Sequence, residues 1–383
     1  MAKGDKSTPG SKEQIFDSTK NENIGGASKK GFPRYYFPLV AGIILVEAII
    51  LVLALLDILP LHALKIYPEA GYFSYIGASD IGKLSVTITR WFFFLLTTCV
   101  MVPVTMIIIL EITRRVIITV KGEPQGSEDR FLWLNKILNK LEKPPKNPNL
   151  SKERIQGKYI TRFDVHQRIQ HYALFISFII LAITGVLRGF PDWPTFAWFT
   201  GILGGPDLLR LIHDIAAFVM ILDGIYHLLY IVHGILFKKK FPTAMLPSLK
   251  DLKDVIHTSL WIFGLRKHEP IYDRFQYGQK IDYWAIFWGM PVMVITGIIM
   301  MFPAFFSQWF GGQWFAVCAT AHRDEAVLAI SFIFIVHMYY GHLATSAFPV
   351  NTTMFTGKML KSKYKEWFGK EYAQLTGEKD SKD

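Results

Sequence analysis

The sequence His322-Arg-Asp-Glu-Ala-Val-Leu-Ala-Ile-Ser-Phe-Ile-Phe-Ile-Val-His337 decides how the rest of the chain is interpreted. It is apolar after its first turn and carries a histidine at each end. The two histidines are fifteen residues apart, which is about 22 Å along an α-helix and close to four turns. The stretch therefore predicts a membrane-spanning helix that presents two imidazole rings on nearly one face, at two depths.

Long apolar runs dominate the 383-residue chain, which has 51% hydrophobic and 15% aromatic residues and a mean hydropathy of +0.26. This composition predicts an all-α membrane protein. The last four helices are expected to form a four-helix bundle. The runs predict six transmembrane helices, at residues 36–59, 91–112, 171–187, 208–237, 283–302 and 326–348.

Polar segments divide the chain into five expected regions. These are a flexible cytoplasmic tail (1–34), an N-terminal pair of transmembrane helices (35–120), a basic cytoplasmic linker (121–160), the four-helix core (161–361) and a cytoplasmic C-terminal tail (362–383).

The lysines and arginines are distributed very unevenly between the loops. Thirty-six of the 42 lie in the termini and the loops on the same side, against four in the alternate loops. By the positive-inside rule, this predicts a multi-pass protein of a bacterial or archaeal cytoplasmic membrane with both termini cytoplasmic. The net charge of +11 is therefore interpreted as a topology signal, and no nucleic-acid partner is expected.

Histidines lie at two matched depths in the last four predicted helices. His213 and His322 share the outer level, whereas His171, His227 and His337 share the inner level. Imidazole is a common axial ligand of haem iron, so the pattern predicts two haems b, each held between two histidines. The outer pair is His213 with His322. The inner pair contains His337, and its partner is either His171 or His227.

The histidine left out of the inner pair can form a hydrogen bond, serve a quinone or hold a third haem. Arginines accompany the predicted ligands, since Arg168 and Arg210 precede His171 and His213 by three residues and so share their helix faces. We expect these arginines to bind haem propionates, with anchoring at the membrane interface as the alternative. The sequence contains no CxxCH or CxxC motif, so it predicts neither a c-type haem nor an iron–sulfur centre.

Several short motifs resemble successive helices of one family, the cytochrome b (gamma) subunits of formate dehydrogenases and the related cytochromes b of nickel–iron hydrogenases. The resemblance covers about residues 161–361, and it implies a di-haem, quinone-reactive cytochrome b whose inner haem is held by His171 and His337. It rests on Arg168-Ile-Gln-His171-Tyr, Ala182-Ile-Thr-Gly185, Arg210-Leu-Ile-His213, Tyr277-Gly-Gln-Lys280, Ile295-Thr-Gly297 and His337-Met-Tyr339.

The resemblance also implies a menaquinone or ubiquinone site on the cytoplasmic side, formed by Gln276, Gly278 and Gln279 near the ligand His337. An ordinary polar helix entrance is the alternative interpretation of these residues. The last helix departs from the family, because its two histidines are fifteen residues apart where the family has fourteen. One extra residue turns a ring by about 100° in a regular helix, so a helical irregularity is expected.

The expected function is that of a membrane-embedded b-type cytochrome subunit, which moves electrons between a quinone and a periplasmic redox partner. That partner is a multihaem c-type cytochrome or an iron–sulfur or catalytic subunit, and lipid surrounds the helices. The segment from His322 to Gly357 is similar to a variant branch associated with multihaem cytochromes, which favours quinol oxidation. Two alternatives are a proton channel or transporter with a histidine relay, and a membrane anchor that binds haem only structurally.

Overall fold

The computed structural model describes residues 38–42, 45, 49, 52, 80–122, 154–238, 242–266, 269–344, 347 and 351–377. Within these residues, five helices are long and apolar enough to cross a membrane. The first predicted span, 36–59, lies mostly outside the described residues, so the count of six remains a prediction. The helical membrane architecture is confirmed.

The long helices are α1 (Asp80–Lys121), α2 (Val165–Gly189), α4 (Gly205–Leu236), α6 (Tyr277–Met301) and α8 (Gly312–Phe332). Helix α2 packs along α4, and α8 packs between α6 and α1. Short elements connect them: α3 (Pro194–Ile202), a 3₁₀ turn (Thr243–Met245), α5 (Leu249–Ile262), α7 (Pro303–Phe306), α9 (Thr353–Thr356), α10 (Lys361–Trp367) and α11 (Gly369–Thr376).

Helix α8 differs from the predicted last span at both ends. It begins at Gly312 rather than at residue 326, so His322 lies ten residues inside the helix and not at its edge. The prediction was wrong because charged residues at 323–325 lower the hydropathy of this segment, although Asp324 and Glu325 are buried in the bundle. Beyond Phe332 the helix continues as two π-helical stretches, Ile333–His337 and Tyr339–Leu343.

The C-terminal segment folds against the start of the bundle instead of forming a tail. Strands β1 (Ile155–Gln156), β2 (Tyr159–Thr161) and β3 (Lys358–Leu360) form an antiparallel sheet in that order. Helices α10 and α11 pack beside it because they share an apolar face. The core residues of this unit are Ile160, Tyr272, Met359, Tyr364, Phe368, Tyr372 and Leu375.

A buried ionic network holds this unit of three strands and two helices together. Glu371 is 1% exposed and accepts hydrogen bonds from Arg154 and Tyr364. The Arg162 guanidinium lies 3.9 Å from the centre of the Phe368 ring, and burial lowers its pKa to about 10. The network joins residues far apart in sequence, so the C-terminal helices fix the position of the segment that leads into α2.

Candidate functional site

The outer histidine pair is His213 of α4 and His322 of α8, and the names outer and inner follow the predicted orientation. The ring centres of His213 and His322 are 6.4 Å apart, and the ring planes are inclined by 60°. The structure thus brings together the two histidines that the sequence places at one level.

Each ring of the outer pair is held by a threonine on a neighbouring helix. Thr184 Oγ1 lies 2.7 Å from His213 Nδ1, and Thr296 Oγ1 lies 2.9 Å from His322 Nδ1. The hydroxyl of Thr184 donates its proton to the Ile180 carbonyl, so its oxygen accepts a hydrogen bond from the imidazole N–H. The same holds for Thr296, whose hydroxyl donates within its own helix. Both rings therefore carry a proton on Nδ1 and have Nε2 free as a ligand.

A glycine follows each of these threonines and allows the ring to approach. A Cβ atom on Gly185 would lie 3.5 Å from His213 Cε1, and one on Gly297 would lie 3.3 Å from His322 Cε1. The pair Thr-Gly thus occurs twice, on α2 and on α6, and each copy supports a histidine of the next long helix. In the sequence these motifs indicate only the family resemblance, and their role as supports becomes visible in the structure.

The inner histidine pair is His171 of α2 and His337 in the first π-helical stretch after α8. Their ring centres are also 6.4 Å apart, with an angle of 36° between the planes. His337 Nδ1 lies 3.3 Å from Asp282 Oδ2 on α6. The wide turn at Ile333–His337 is the irregularity that the fifteen-residue spacing predicts, because a π turn absorbs one residue more than an α turn.

His227, the other candidate for the inner level, contacts residues of α2 and α6. Its Nδ1 is 3.0 Å from Gln170 Oε1, and its Nε2 is 3.0 Å from the hydroxyl of Tyr283. Both ring nitrogens are therefore engaged in hydrogen-bond contacts with protein groups. His342, in the second π-helical stretch, places its ring 6.5 Å from that of His337.

The predicted arginines have different surroundings. Arg168 donates a hydrogen bond to the Phe355 carbonyl at 3.0 Å, whereas Arg210 is mostly exposed and lies 3.7 Å from Asp214. The charge of Arg188, at the predicted outer end of α2, acts on both rings of the outer pair, an effect that the sequence motifs do not indicate.

The predicted quinone residues lie at the start of α6. Gln276 and Gln279 form a reciprocal cap of this helix, and Gln279 Oε1 also lies 3.3 Å from Arg162 Nη2. Their side chains are thus engaged in local structure. Gly278 is buried, and a Cβ atom there would lie 3.8 Å from the ring of Tyr340. One turn later, Asp282 has one carboxylate oxygen near His337, and its other oxygen is buried without a hydrogen-bond partner in the described part of the chain.

The geometry of both pairs fits axial ligation of haem iron. An imidazole nitrogen binds a first-row metal at about 2 Å, and the ring centre lies about 1 Å behind that nitrogen, so two rings on one iron have centres about 6 Å apart. Both pairs match this separation. Two imidazoles are also sufficient ligands, because the porphyrin supplies the other four nitrogens.

Comparison with known proteins identifies the same region. A family model described as prokaryotic cytochrome b561 matches residues 162–357. A formate dehydrogenase cytochrome b556 subunit of Haemophilus influenzae is 30% identical over 181 residues, which cover 47% of this chain and 69% of the relative. The nitrate-inducible formate dehydrogenase cytochrome b556 subunit of Escherichia coli is 25% identical over 184 residues, covering 48% of this chain and 78% of the relative.

A third relative has similar coverage. A second formate dehydrogenase cytochrome b556 subunit of Escherichia coli is 26% identical over 185 residues, which are 47% of this chain and 77% of the relative.

Helix α1 lies outside the region that the family model matches. The matched region contains both histidine pairs, their supports and the start of α6. The chain therefore belongs to the prokaryotic cytochrome b561 family of haem b-containing, multi-pass electron-transfer subunits of the bacterial inner membrane, as the sequence motifs predict.

Proposed function

We propose that this cytochrome carries electrons across the membrane through two haems b, one held by His213 and His322 and the other by His171 and His337. The two 6.4 Å ring separations are the observation that carries this proposal. On α2, His171 lies thirteen residues before Thr184, the support of the outer pair, and this interval is about 20 Å along a helix. The two haems supply one-electron redox centres at the two sides of the bilayer.

The residues of the chain hold and orient these centres. Thr184 and Thr296 fix the tautomer of the outer ligands, and Asp282 orients His337.

The proposed quinone site lies on the inner side, where Gly278, Tyr340 and Asp282 adjoin the inner histidine pair. Its support is the buried Gly278, where a Cβ atom would only just contact the Tyr340 ring at 3.8 Å, and the Asp282 carboxylate oxygen that has no hydrogen-bond partner among the described residues. A menaquinol or ubiquinol hydroxyl is a group that such an oxygen accepts. Gln276 and Gln279 shape the entrance through their cap rather than by a free side chain.

The proposed partner is a redox protein at the outer side. The relatives are named as cytochrome subunits of formate dehydrogenases, which favours a complex with catalytic or iron–sulfur subunits. A multihaem c-type cytochrome as the electron acceptor is the second candidate, and it rests on the variant-branch features of the sequence.

A redox difference spectrum with a haem count tests the ligand assignment. The wild-type protein should contain two b-type haems per chain. His171→Ala and His337→Ala should each lose the inner haem, and His213→Ala and His322→Ala should each lose the outer one. His227→Ala is the matched control, because its ring is held by Gln170 and Tyr283, and it should keep both haems. The assignment is contradicted if His227→Ala loses a haem, or if His171→Ala keeps the inner haem.

A second experiment tests the quinone site. Gly278→Val should fill the space beside Tyr340 and raise the KM for quinol, while both haems remain. Gly201→Val is the matched control, since nothing lies within 4 Å of a Cβ atom at that position, at the other end of the bundle. Equal quinol kinetics in the two variants would remove Gly278 from the proposal.

A further inference from the structure

Helix α1 packs directly against the helix that carries His322 and His337, although it lies outside the region 162–357 matched by the family model. Met101 and Ile108 of α1 form one buried cluster with Phe332, Ile335 and Tyr339. These last three residues lie at and within the π-helical stretches. The additional helix therefore covers the part of the ligand helix whose geometry is irregular.

A polar contact joins the same two elements at the inner side. Glu111 of α1 is buried, and its Oε2 accepts a hydrogen bond of 3.4 Å from the hydroxyl of Tyr340. Its Oε1 accepts two hydrogen bonds from Arg115, at 3.1 and 3.0 Å. Tyr340 belongs to the second π-helical stretch, and its ring faces Gly278 at the start of α6. One carboxylate thus links α1 to the wide turns.

The inner end of α1 is itself fixed to the cytoplasmic segment. Arg115 pairs with Glu269 at 2.9 Å and lies over the Trp261 ring at 5.1 Å. Glu111 is therefore held from both sides, by Arg115 on its own helix and by Tyr340 on the ligand helix. A group fixed in this way can hold the backbone that bears Tyr340 in one position.

Wide turns need such a support. A π turn has poorer backbone geometry than an α turn and persists only where its surroundings favour it. Reversion to a regular helix would turn the His337 ring by about 100° away from His171. The element that maintains the wide turns therefore also sets the direction of the His337 ring.

We propose that α1 is a brace for the ligand helix, and that Glu111 and Tyr340 are positioning residues that hold His337 in the geometry needed to ligate the inner haem. This inference rests on the proposed function, because it assumes that His171 and His337 are the inner ligands. It assigns a role to a helix outside the family region, and it restricts the effect of that helix to one of the two haems.

The test uses Tyr340→Phe and Glu111→Gln in the full-length protein. Tyr340→Phe keeps the ring that packs on Gly278 and removes only the hydroxyl. Thr113→Val is the matched control on α1, since the Thr113 hydroxyl is exposed and bonds only to the Ile109 carbonyl of its own helix. The measurement is the electron paramagnetic resonance spectrum of the two ferric haems in detergent without quinone, together with the rate of haem reduction by added quinol.

We expect both variants to keep two haems and to shift the g values of the inner haem, with the outer signal unchanged. The rate of reduction by quinol should fall about tenfold, as is common when a support of a metal ligand is removed. An inner signal identical to wild type in Tyr340→Phe, or equal changes in both haems, would overturn the proposal. Should Glu111→Gln not assemble, Tyr340→Phe decides alone. A wild-type protein without two b-type haems would instead refute the proposed function.

Discussion

The carboxylate of Asp282 should lower the midpoint potential of the inner haem. Its Oδ2 lies 3.3 Å from His337 Nδ1, whereas both rings of the outer pair are bonded to neutral threonines. A carboxylate partner makes the imidazole a stronger electron donor and stabilises the ferric state. Asp282→Asn keeps the size of the side chain and removes its charge, so we expect the potential of the inner haem to rise.

The structure gives the size of this change. The centres of the inner rings are 6.4 Å apart, which places the carboxylate oxygen about 7 Å from the point midway between them. At an effective dielectric constant of about 20, one charge at about 7 Å contributes about 2.4 kcal/mol. For a one-electron couple this corresponds to about 100 mV, and solvent near the partly exposed Asp282 reduces it towards about 50 mV.

A potentiometric titration of the α-bands in detergent measures both haems in one sample. The outer haem serves as the internal control, and its potential should be the same in Asp282→Asn and in wild type. An unchanged or lower inner potential in the variant would refute the electrostatic reasoning. Equal shifts of both haems would show a general structural change instead.

The structure also predicts the outcomes of three further experiments. Thr184→Val and Thr296→Val should each weaken retention of the outer haem by about 10- to 100-fold, measured as haem loss to apomyoglobin, whereas the inner haem is retained. Gly297→Ala should alter the spectrum of the outer haem more than Gly185→Ala, because the added Cβ comes to 3.3 Å rather than 3.5 Å from the histidine ring. Glu371→Gln should destabilise the C-terminal helices by about 3 kcal/mol, because the buried guanidinium of Arg154 then lacks its counter-charge. Trypsin should therefore cleave faster within α10, and an unchanged rate of digestion would contradict this prediction.

The sequence predicts how deep each histidine lies along its helix, but it does not predict which residues of the neighbouring helices its ring contacts. Topology and spacing alone predict the outer pair, His213 with His322, since each level needs only a count of residues. Both His171 and His227 lie at the predicted inner level, where the fourteen-residue interval from His213 favours His227 and the family resemblance favours His171. The proposed choice of His171 is supported by the partners of His227, namely Gln170 and Tyr283, which lie 57 and 56 residues away in the sequence. Spacing within one helix contains no information about such contacts.

The start of α8 and the C-terminal helices escaped prediction for opposite reasons. The start of α8 contains charged residues that are buried inside the bundle, so hydropathy marks it as an exposed loop. The C-terminal segment is rich in lysine and resembles a tail by composition. Its apolar residues nevertheless recur at helical spacing, at Tyr364, Phe368, Tyr372 and Leu375, and this signal was available in the sequence.

The polar partners of the two histidine pairs also predict the order of the two potentials. Both rings of the outer pair are hydrogen-bonded to neutral threonines, which do not stabilise the additional positive charge of the ferric state. The inner pair has the carboxylate of Asp282, which favours the ferric state. We therefore expect the inner haem to have the lower midpoint potential, so that electrons move downhill from a quinol at the inner side to a partner at the outer side. Titration of wild type, with His171→Ala to assign the signals, measures the order, and a higher potential at the inner haem would favour electron flow in the opposite direction.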